Sequence, residues 1–238
     1  MVLVVFFVLV LEISTRTVDG AVSQSTMKKI DRMNRKGPYL GIIVPNSFEL
    51  TPLLQSASFV ADQKLPSLDF SGRRFRFGRL DNQSVVIAMT GLSMLNAGVT
   101  TQILLTLFKV KGVVHYGIAG NADPQLQIGD VTIPQYWTHT GLWNWQRFGD
   151  SPDDLLSLES FGDYSRDIFP VYGTPEVRQH AFWVPVNKKY FALAQQLQDL
   201  KLEGCVNTTC LPRTPIAVRV QRGMSANVFV DNSAYRQF

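Results

Sequence analysis

Tyr39-Leu40-Gly41-Ile42-Ile43-Val44-Pro45 is an apolar run closed by a proline. It is too short for a typical helix, so it predicts a buried strand that ends at a turn. The sequence around it alternates in kind. Upstream, Met27 to Lys36 predicts a short basic helix. Downstream, Phe48 to Ala61 has apolar spacing suited to a helix, and Arg74 to Leu80 and Ser84 to Thr90 flank Asp81-Asn82 as a hairpin would. Arg73-Arg74-Phe75-Arg76-Phe77 alternates with period two, the pattern of a half-buried strand. Leu95 to Val110 reads as a mostly apolar helix. Gly112 to Ile118 reads as a second buried strand, closed by Ala119-Gly120-Asn121. Asp130 to Pro134 and Pro215 to Gln221 predict further strands. Asn187 to Leu202 predicts an amphipathic helix capped by Asn187, with Tyr190, Leu193, Ala194, Leu197 and Leu200 on one stripe. Thr138 to Thr174 is aromatic-rich and irregular, an excursion expected near a site or at a contact between copies. Strands alternating with helices predict an α/β three-layer sandwich around a mixed sheet.

The composition narrows the functional classes. The chain has 238 residues, 45% hydrophobic and only 18% charged, which excludes intrinsic disorder. Its net charge is +4, and Lys28-Lys29, Arg73-Arg74 and Lys188-Lys189 are short clusters, so no nucleic-acid partner is expected. Neither G-x-x-x-x-G-K-[ST] nor G-x-G-x-x-G occurs, which argues against a nucleoside-triphosphate or dinucleotide site and leaves no cofactor expected. His115 lies in an apolar run and reads as a buried, hydrogen-bonded core residue. His139 and His180 lack ligand spacing, so no metal is expected.

Residues 2–11 are ten apolar residues without a break, and small residues follow near Gly20-Ala21. This predicts a signal peptide over residues 1–21, with an uncleaved signal anchor as the alternative. The expected destination is the secretory pathway, extracellular or vacuolar, with no membrane span left after signal removal. Asn82-Gln83-Ser84 and Asn207-Thr208-Thr209 are glycosylation acceptors. The only cysteines are Cys205 and Cys210. Their spacing does not suit a metal pair, and it leaves a small-loop disulfide or a redox pair, the former expected in an oxidising compartment.

Three strand ends carry small or polar residues able to approach a ligand: Pro45-Asn46-Ser47-Phe48-Glu49, Thr90-Gly91-Leu92-Ser93 and Gly117-Ile118-Ala119-Gly120-Asn121. In α/β sheets, ligands sit beyond the carboxyl ends of strands. Gly41-Ile42-Ile43 with Glu49-Leu50-Thr51, Thr90-Gly91-Leu92, Gly117-Ile118-Ala119-Gly120 with Ile128-Gly129-Asp130-Val131, and Ser225 to Asn232 together resemble the nucleoside phosphorylase/nucleosidase superfamily. Within it, the chain is most similar to the plant bark storage and vegetative storage proteins. The resemblance covers residues 37–238, taken as one phosphorylase-like domain, and it implies N-ribosidic bond chemistry on a purine nucleoside or base.

By that resemblance, Glu49 corresponds to the water-activating carboxylate. Thr90 corresponds to a hydroxyl residue facing ribose or phosphate, beside Gly91. Ala119 and Gly120 line the site, and Phe229 corresponds to the aromatic that stacks on the purine between Val228 and Val230. Read from the residues alone, Glu49 is a solvated side chain in a helix's first turn, Thr90 bonds a turn amide and Phe229 packs in a core. The Val44-Pro45-Asn46-Ser47 loop lacks the Arg of phosphorolytic members, which favours hydrolysis or bare binding. The pattern's ribose-binding Met-Glu pair and base-protonating Asp would fall beyond Phe238. The expectation is therefore a domain lacking its C-terminal part: a storage-type member with little turnover, the alternative being an active hydrolytic methylthioadenosine-type nucleosidase. The pattern is also compatible with a homo-oligomer.

Overall fold

The computed structural model describes residues 22–140, 166–172 and 177–231, so the expected signal peptide lies outside the described residues. The chain forms two compact units. One holds the chain through Gly91 together with Ala97–Gly117, and the other holds Leu92–Asn96 together with the chain from Ile118 onward.

The first unit opens with α1 (Gln24–Asn34), capped by Ser23, whose hydroxyl accepts from the Thr26 amide. α1 turns Ile30 and Met33 into the core, and Asn34 fastens its far end by donating to the Leu107 carbonyl and accepting from the Lys109 amide. The packed unit thus begins upstream of residue 37. β1 (Tyr39–Val44) follows, then α2 (Ser47–Gln55), β2 (Phe59–Ala61), β3 (Ser67–Phe70), β4 (Arg73–Leu80), β5 (Gln83–Met89), α3 (Met94–Leu107) and β6 (Val110–His115). The sheet runs β2-β4-β5-β1-β6, with β3 also on β4. β1 lies parallel to both β5 and β6, whereas β4 is antiparallel to β5, β2 and β3. This is the mixed-sheet α/β class that the sequence predicts.

Both faces of β1 are covered, which explains its unbroken apolar run. Ile43 packs with Tyr39, Phe75, Phe77, Leu104 and Phe108 on one side, and Ile42 and Val44 pack with Leu50, Val85 and Ile87 on the other. β4 divides its side chains as its alternation requires: Phe75 and Phe77 are fully buried, while Arg74 is exposed and pairs with Asp69 through two 2.7 Å hydrogen bonds. Phe108 meets Phe75 and Phe77 at centroid distances of 5.2 Å, the tilted or edge-on geometry that aromatic quadrupoles favour. The Tyr39 hydroxyl donates to the Met33 carbonyl, and burial, with a smaller contribution from Asp62, pushes its ionisation up to about 12.

The helix expected over Phe48 to Ala61 stops at Gln55. Ser56 takes an extended conformation, and Phe59–Ala61 pairs with β4 instead. The strand expected to be buried over Gly112 to Ile118 is β6, Val110–His115, which starts and ends earlier; none of its residues is fully buried, because it lies at the edge of the sheet.

In the second unit, β7 (Val131–His139) runs parallel to β13 (Ala217–Ser225) and antiparallel to β10 (Val184–Pro185). β8 (Arg166–Tyr172) and β9 (Val177–Ala181) pair with each other, so the segment expected to be irregular contains strands at both ends. The amphipathic helix expected over Asn187 to Leu202 is reduced to α4 (Lys188–Leu193) and a 3₁₀ turn (Ala194–Leu197). Of its apolar stripe only Ala194 is buried, and Leu193, Leu197 and Leu200 are at least 43% exposed, so little packing supports a longer helix. Asn187 caps α4 as expected, accepting from the Lys189 and Tyr190 amides.

β11 (Cys205–Val206) and β12 (Thr209–Cys210) form a two-residue hairpin in which Cys205 stands opposite Cys210, joined by a disulfide. Asn207 sits at its tip with φ 54°, a left-handed conformation that Asn tolerates better than most residues.

Asp130 ties the start of β7 to the segment entering β13. Its side chain is only 2% exposed and accepts from both Arg213 Nη atoms (2.9 and 2.5 Å) and from the amides of Gln127 and Ile216 (both 2.9 Å). The Arg213 guanidinium, followed by the Gln127 amide, holds the Asp130 carboxyl down at about 2.

Two predictions follow from this packing. Phe77→Ala should cost about 3–5 kcal/mol, as large-to-small aromatic changes in cores do, whereas exposed Arg74→Ala should leave the midpoint nearly unchanged, because its ion pair is screened by water. Denaturant midpoints of the two variants check this. Because the folded pKa of Asp130 lies below its unfolded value, its stabilisation is full above about pH 4 and is lost as pH falls toward 2. Asp130→Asn should flatten the stability curve in that window, measured by urea unfolding at a series of pH values.

Candidate functional site

The first unit brings three parallel strands to one edge. β5, β1 and β6 end side by side at Met89, Val44 and His115. The ladder is extended past their ends: the Thr90 amide donates to the Val44 carbonyl at 2.9 Å and the Tyr116 amide to the Ile43 carbonyl at 3.3 Å. Residues just beyond each strand are thereby fixed to the sheet.

Beyond β1, Asn46 caps α2. Its side-chain oxygen accepts from the Phe48 amide at 2.8 Å, and its own amide donates to Glu49 Oε2 at 3.1 Å. Asn46 Nδ2 also reaches Glu49 Oε1 at 3.4 Å. This reciprocal capping box aims the Glu49 carboxylate back at the β1–α2 turn. Glu49 is 7% exposed, so it is not the solvated first-turn side chain that its position alone suggests.

Beyond β6, the Tyr116 hydroxyl donates to the Glu49 backbone carbonyl at 2.9 Å. Burial, and then the nearby Glu49 charge, pushes the Tyr116 phenol's ionisation up. Gly117 presses against the same turn. A Cβ there would fall 2.7 Å from Pro45 Cγ and 3.5 Å from Glu49 Oε1, so a side chain would displace the turn.

Beyond β5, Thr90 is buried and its hydroxyl donates to the Gly91 carbonyl at 2.6 Å, a carbonyl partner rather than a turn amide. Gly91 has φ 81°, which explains its glycine. Arg73 Nη1 donates to the Thr90 carbonyl at 3.0 Å. The sequence reading of β4 missed this role: Arg73 stands in phase with the buried Phe75 and Phe77 at the strand's first position, where the Arg/Phe alternation has not yet begun. His115 Nδ1 lies 3.1 Å from the Ile43 carbonyl, yet the residue is exposed. It is hydrogen-bonded but not a core histidine, because β6 is a sheet edge.

Ala119, Gly120, Val228, Phe229 and Val230 lie in the second unit. Ala119 and Gly120 are exposed in an irregular segment, and Gly120 has open space where a Cβ would stand. Val228, Phe229 and Val230 follow β13, and Phe229 is 96% exposed rather than packed in a core. The adjoining Asn227 side chain accepts from the Met94 amide at 3.0 Å. Among the described residues, no group of three His, Cys, Asp or Glu is placed to hold a metal ion.

Comparison with known proteins shows the family. The phosphorylase superfamily model covers residues 39–224. Bark storage protein A of Populus deltoides is 31% identical over 227 residues, 88% of this chain and 72% of that protein. The 5'-methylthioadenosine/S-adenosylhomocysteine nucleosidase of Marinomonas sp. is 32% identical over 100 residues, 42% of this chain and 41% of that one. The crystal structure of the corresponding nucleosidase from Colwellia psychrerythraea, in complex with adenine, superposes with a TM-score of 0.57 at 20% identity, covering 84% of this chain and 66% of that one. On the strength of the family model and of the relative matched along most of both lengths, this chain belongs to the phosphorylase superfamily.

Proposed function

We propose that the chain binds a purine nucleoside or base through its N-ribosidic region and is a storage-type member with little turnover. The observation that carries the binding reading is the buried Glu49 carboxylate, held at the carboxyl end of β1 between the ends of β5 and β6. In this reading Glu49 holds a water or a sugar hydroxyl. Thr90 and Gly91 contribute beside it. Within the second unit, the exposed Phe229 ring, flanked by Val228 and Val230, is the surface proposed for stacking on a base.

Cleavage of a ribose–base bond develops positive charge on the sugar, and a carboxylate stabilises that charge and activates water. The Val44–Ser47 turn offers no cation for phosphate, which supports hydrolysis over phosphorolysis. Low turnover is supported by the long match to a bark storage protein and by the site's own bonding. Both Glu49 oxygens already accept from Asn46. The second reading, an active hydrolytic nucleosidase, is favoured by the match to the Marinomonas enzyme.

Adenine release from methylthioadenosine, measured beside equilibrium binding, separates the two. The storage reading expects saturable binding with release far below the ~1–10³ s⁻¹ typical of enzymes. Any residual release should fall a further ~10²-fold or more in Glu49→Gln and should not respond to phosphate. Release at an ordinary enzymatic rate would put the nucleosidase reading first. Gly117→Ala should weaken binding by displacing Pro45 and the Glu49 carboxylate, while Gly98→Ala, in open space on α3, should not.

We also propose a secretory route with N-glycans on Asn82 and Asn207. Both are exposed, with φ of 67° and 54°, at the tips of two-residue turns. Glycopeptide mapping of protein from its source should find sugar on one or both, together with a Cys205–Cys210 peptide pair under non-reducing conditions. Bare asparagines and free thiols would reject the route.

A further inference from the structure

Asn, Asp and Ser cap a helix N-terminus about equally well. The β1–α2 turn carries Asn at that position and uses both arms of its carboxamide. Asn46 Oδ1 accepts from the Phe48 amide at 2.8 Å, the capping contact that Asp or Ser would also make. Asn46 Nδ2 donates to Glu49 Oε1 at 3.4 Å. An ionised Asp has no donor to put there, and Ser caps through a single oxygen that lacks the second arm.

The two arms are coupled. Because Oδ1 faces a backbone N–H, the carboxamide cannot turn over without setting its amino group against that N–H and its oxygen against the carboxylate. The amino arm is therefore held toward Glu49. The Asn46 backbone amide donates to the other carboxylate oxygen, Oε2, at 3.1 Å. One residue thus grips both oxygens, which fixes the plane of the carboxylate as well as its direction. The turn is closed from the β6 side by the Tyr116 hydroxyl on the Glu49 carbonyl and by Gly117, where a Cβ would stand 3.5 Å from Oε1.

We infer that Asn46 is a positioning residue for the Glu49 carboxylate: on the nucleoside-binding reading above, from which this follows, its Nδ2 donor sets the plane in which Glu49 meets a sugar hydroxyl. Helix formation does not account for that donor. A capping box needs a side-chain acceptor at the N-cap and a backbone N–H for the N3 carboxylate, and it needs nothing further from the N-cap side chain. Asn46→Asp separates the two roles. Aspartate has nearly the same size and caps through the same oxygen, but it replaces the donor by an acceptor and sets a like charge against Glu49. Asn46→Ser keeps a cap and removes only the arm that reaches Oε1.

Two quantities measured on the full chain and on its Asn46→Asp, Asn46→Ser and Asn46→Ala variants test this: the urea midpoint of unfolding and the equilibrium affinity for methylthioadenosine. If Asn46 only caps α2, both follow one order, with the parent, Asn46→Asp and Asn46→Ser together and Asn46→Ala below them. If it positions Glu49, the two orders part. The midpoints keep the capping order, whereas affinity falls about tenfold in Asn46→Ser and Asn46→Ala, as for a lost hydrogen bond to a charged group. Affinity falls further in Asn46→Asp, although that variant is as well capped as the parent. Parent-like affinity in Asn46→Asp, or affinities that track the midpoints across the series, would overturn the positioning role alone. A parent protein with no saturable binding would overturn the nucleoside-binding reading, and the positioning role with it.

Discussion

The first unit depends on β1 being paired in parallel on both edges and covered on both faces. A strand in that position has little contact with water, Leu40 alone being half-buried, so its backbone groups must find partners within the protein. β5 and β6 supply those partners along the strand. At its end the accounting is completed by the residues that make the site: the Thr90 and Tyr116 amides take the last carbonyls, and Asn46 turns the chain into α2. The chemistry-bearing groups are therefore where they are because a buried strand has to stop. Glu49 is held by the same capping box that starts the helix, so the geometry that ends the strand also aims the carboxylate.

Much of this was legible in the sequence. The closed apolar run of β1, the Arg/Phe alternation of β4 and the Asp81-Asn82 turn each have one dominant reading, because burial on two faces, burial on one face and a tight reversal leave different residue patterns. The end of α2 was not legible. Ser56-Ala57-Ser58 carries no strong stop, and the apolar spacing continues through Phe59 and Val60. What ends the helix is an open edge on β4, which the local sequence does not contain. α4 fails in the opposite sense: its stripe is present, but the second unit buries only Ala194 of it. Glu49 and Thr90 were found through family resemblance, whereas Arg73 was invisible, because its bond to the Thr90 carbonyl crosses from one strand to the end of its neighbour.

The two units solve the parallel-strand problem differently. The first surrounds its parallel strands with an apolar core. The second, which buries few large side chains among its described residues, has polar fastening at Asp130, where four donors converge on one carboxylate. A charge-assisted cluster of this kind fixes the register of β7 and β13 through geometry, and it makes that fastening sensitive to acid.

The alternation of β4 has a consequence for how the sheet assembles. Side chains on a strand change face with every residue, so pairing β4 to β5 one position out of step would carry Phe75 and Phe77 into water and drive Arg74 and Arg76 toward the interior. Such a misaligned sheet would lose the aromatic cluster and would also have to strip water from guanidinium groups that have no acceptor waiting. The arginines thus proofread the strand: they are nearly neutral when the alignment is right and prohibitive when it is wrong by one residue, which leaves the hairpin a single tolerable way to close.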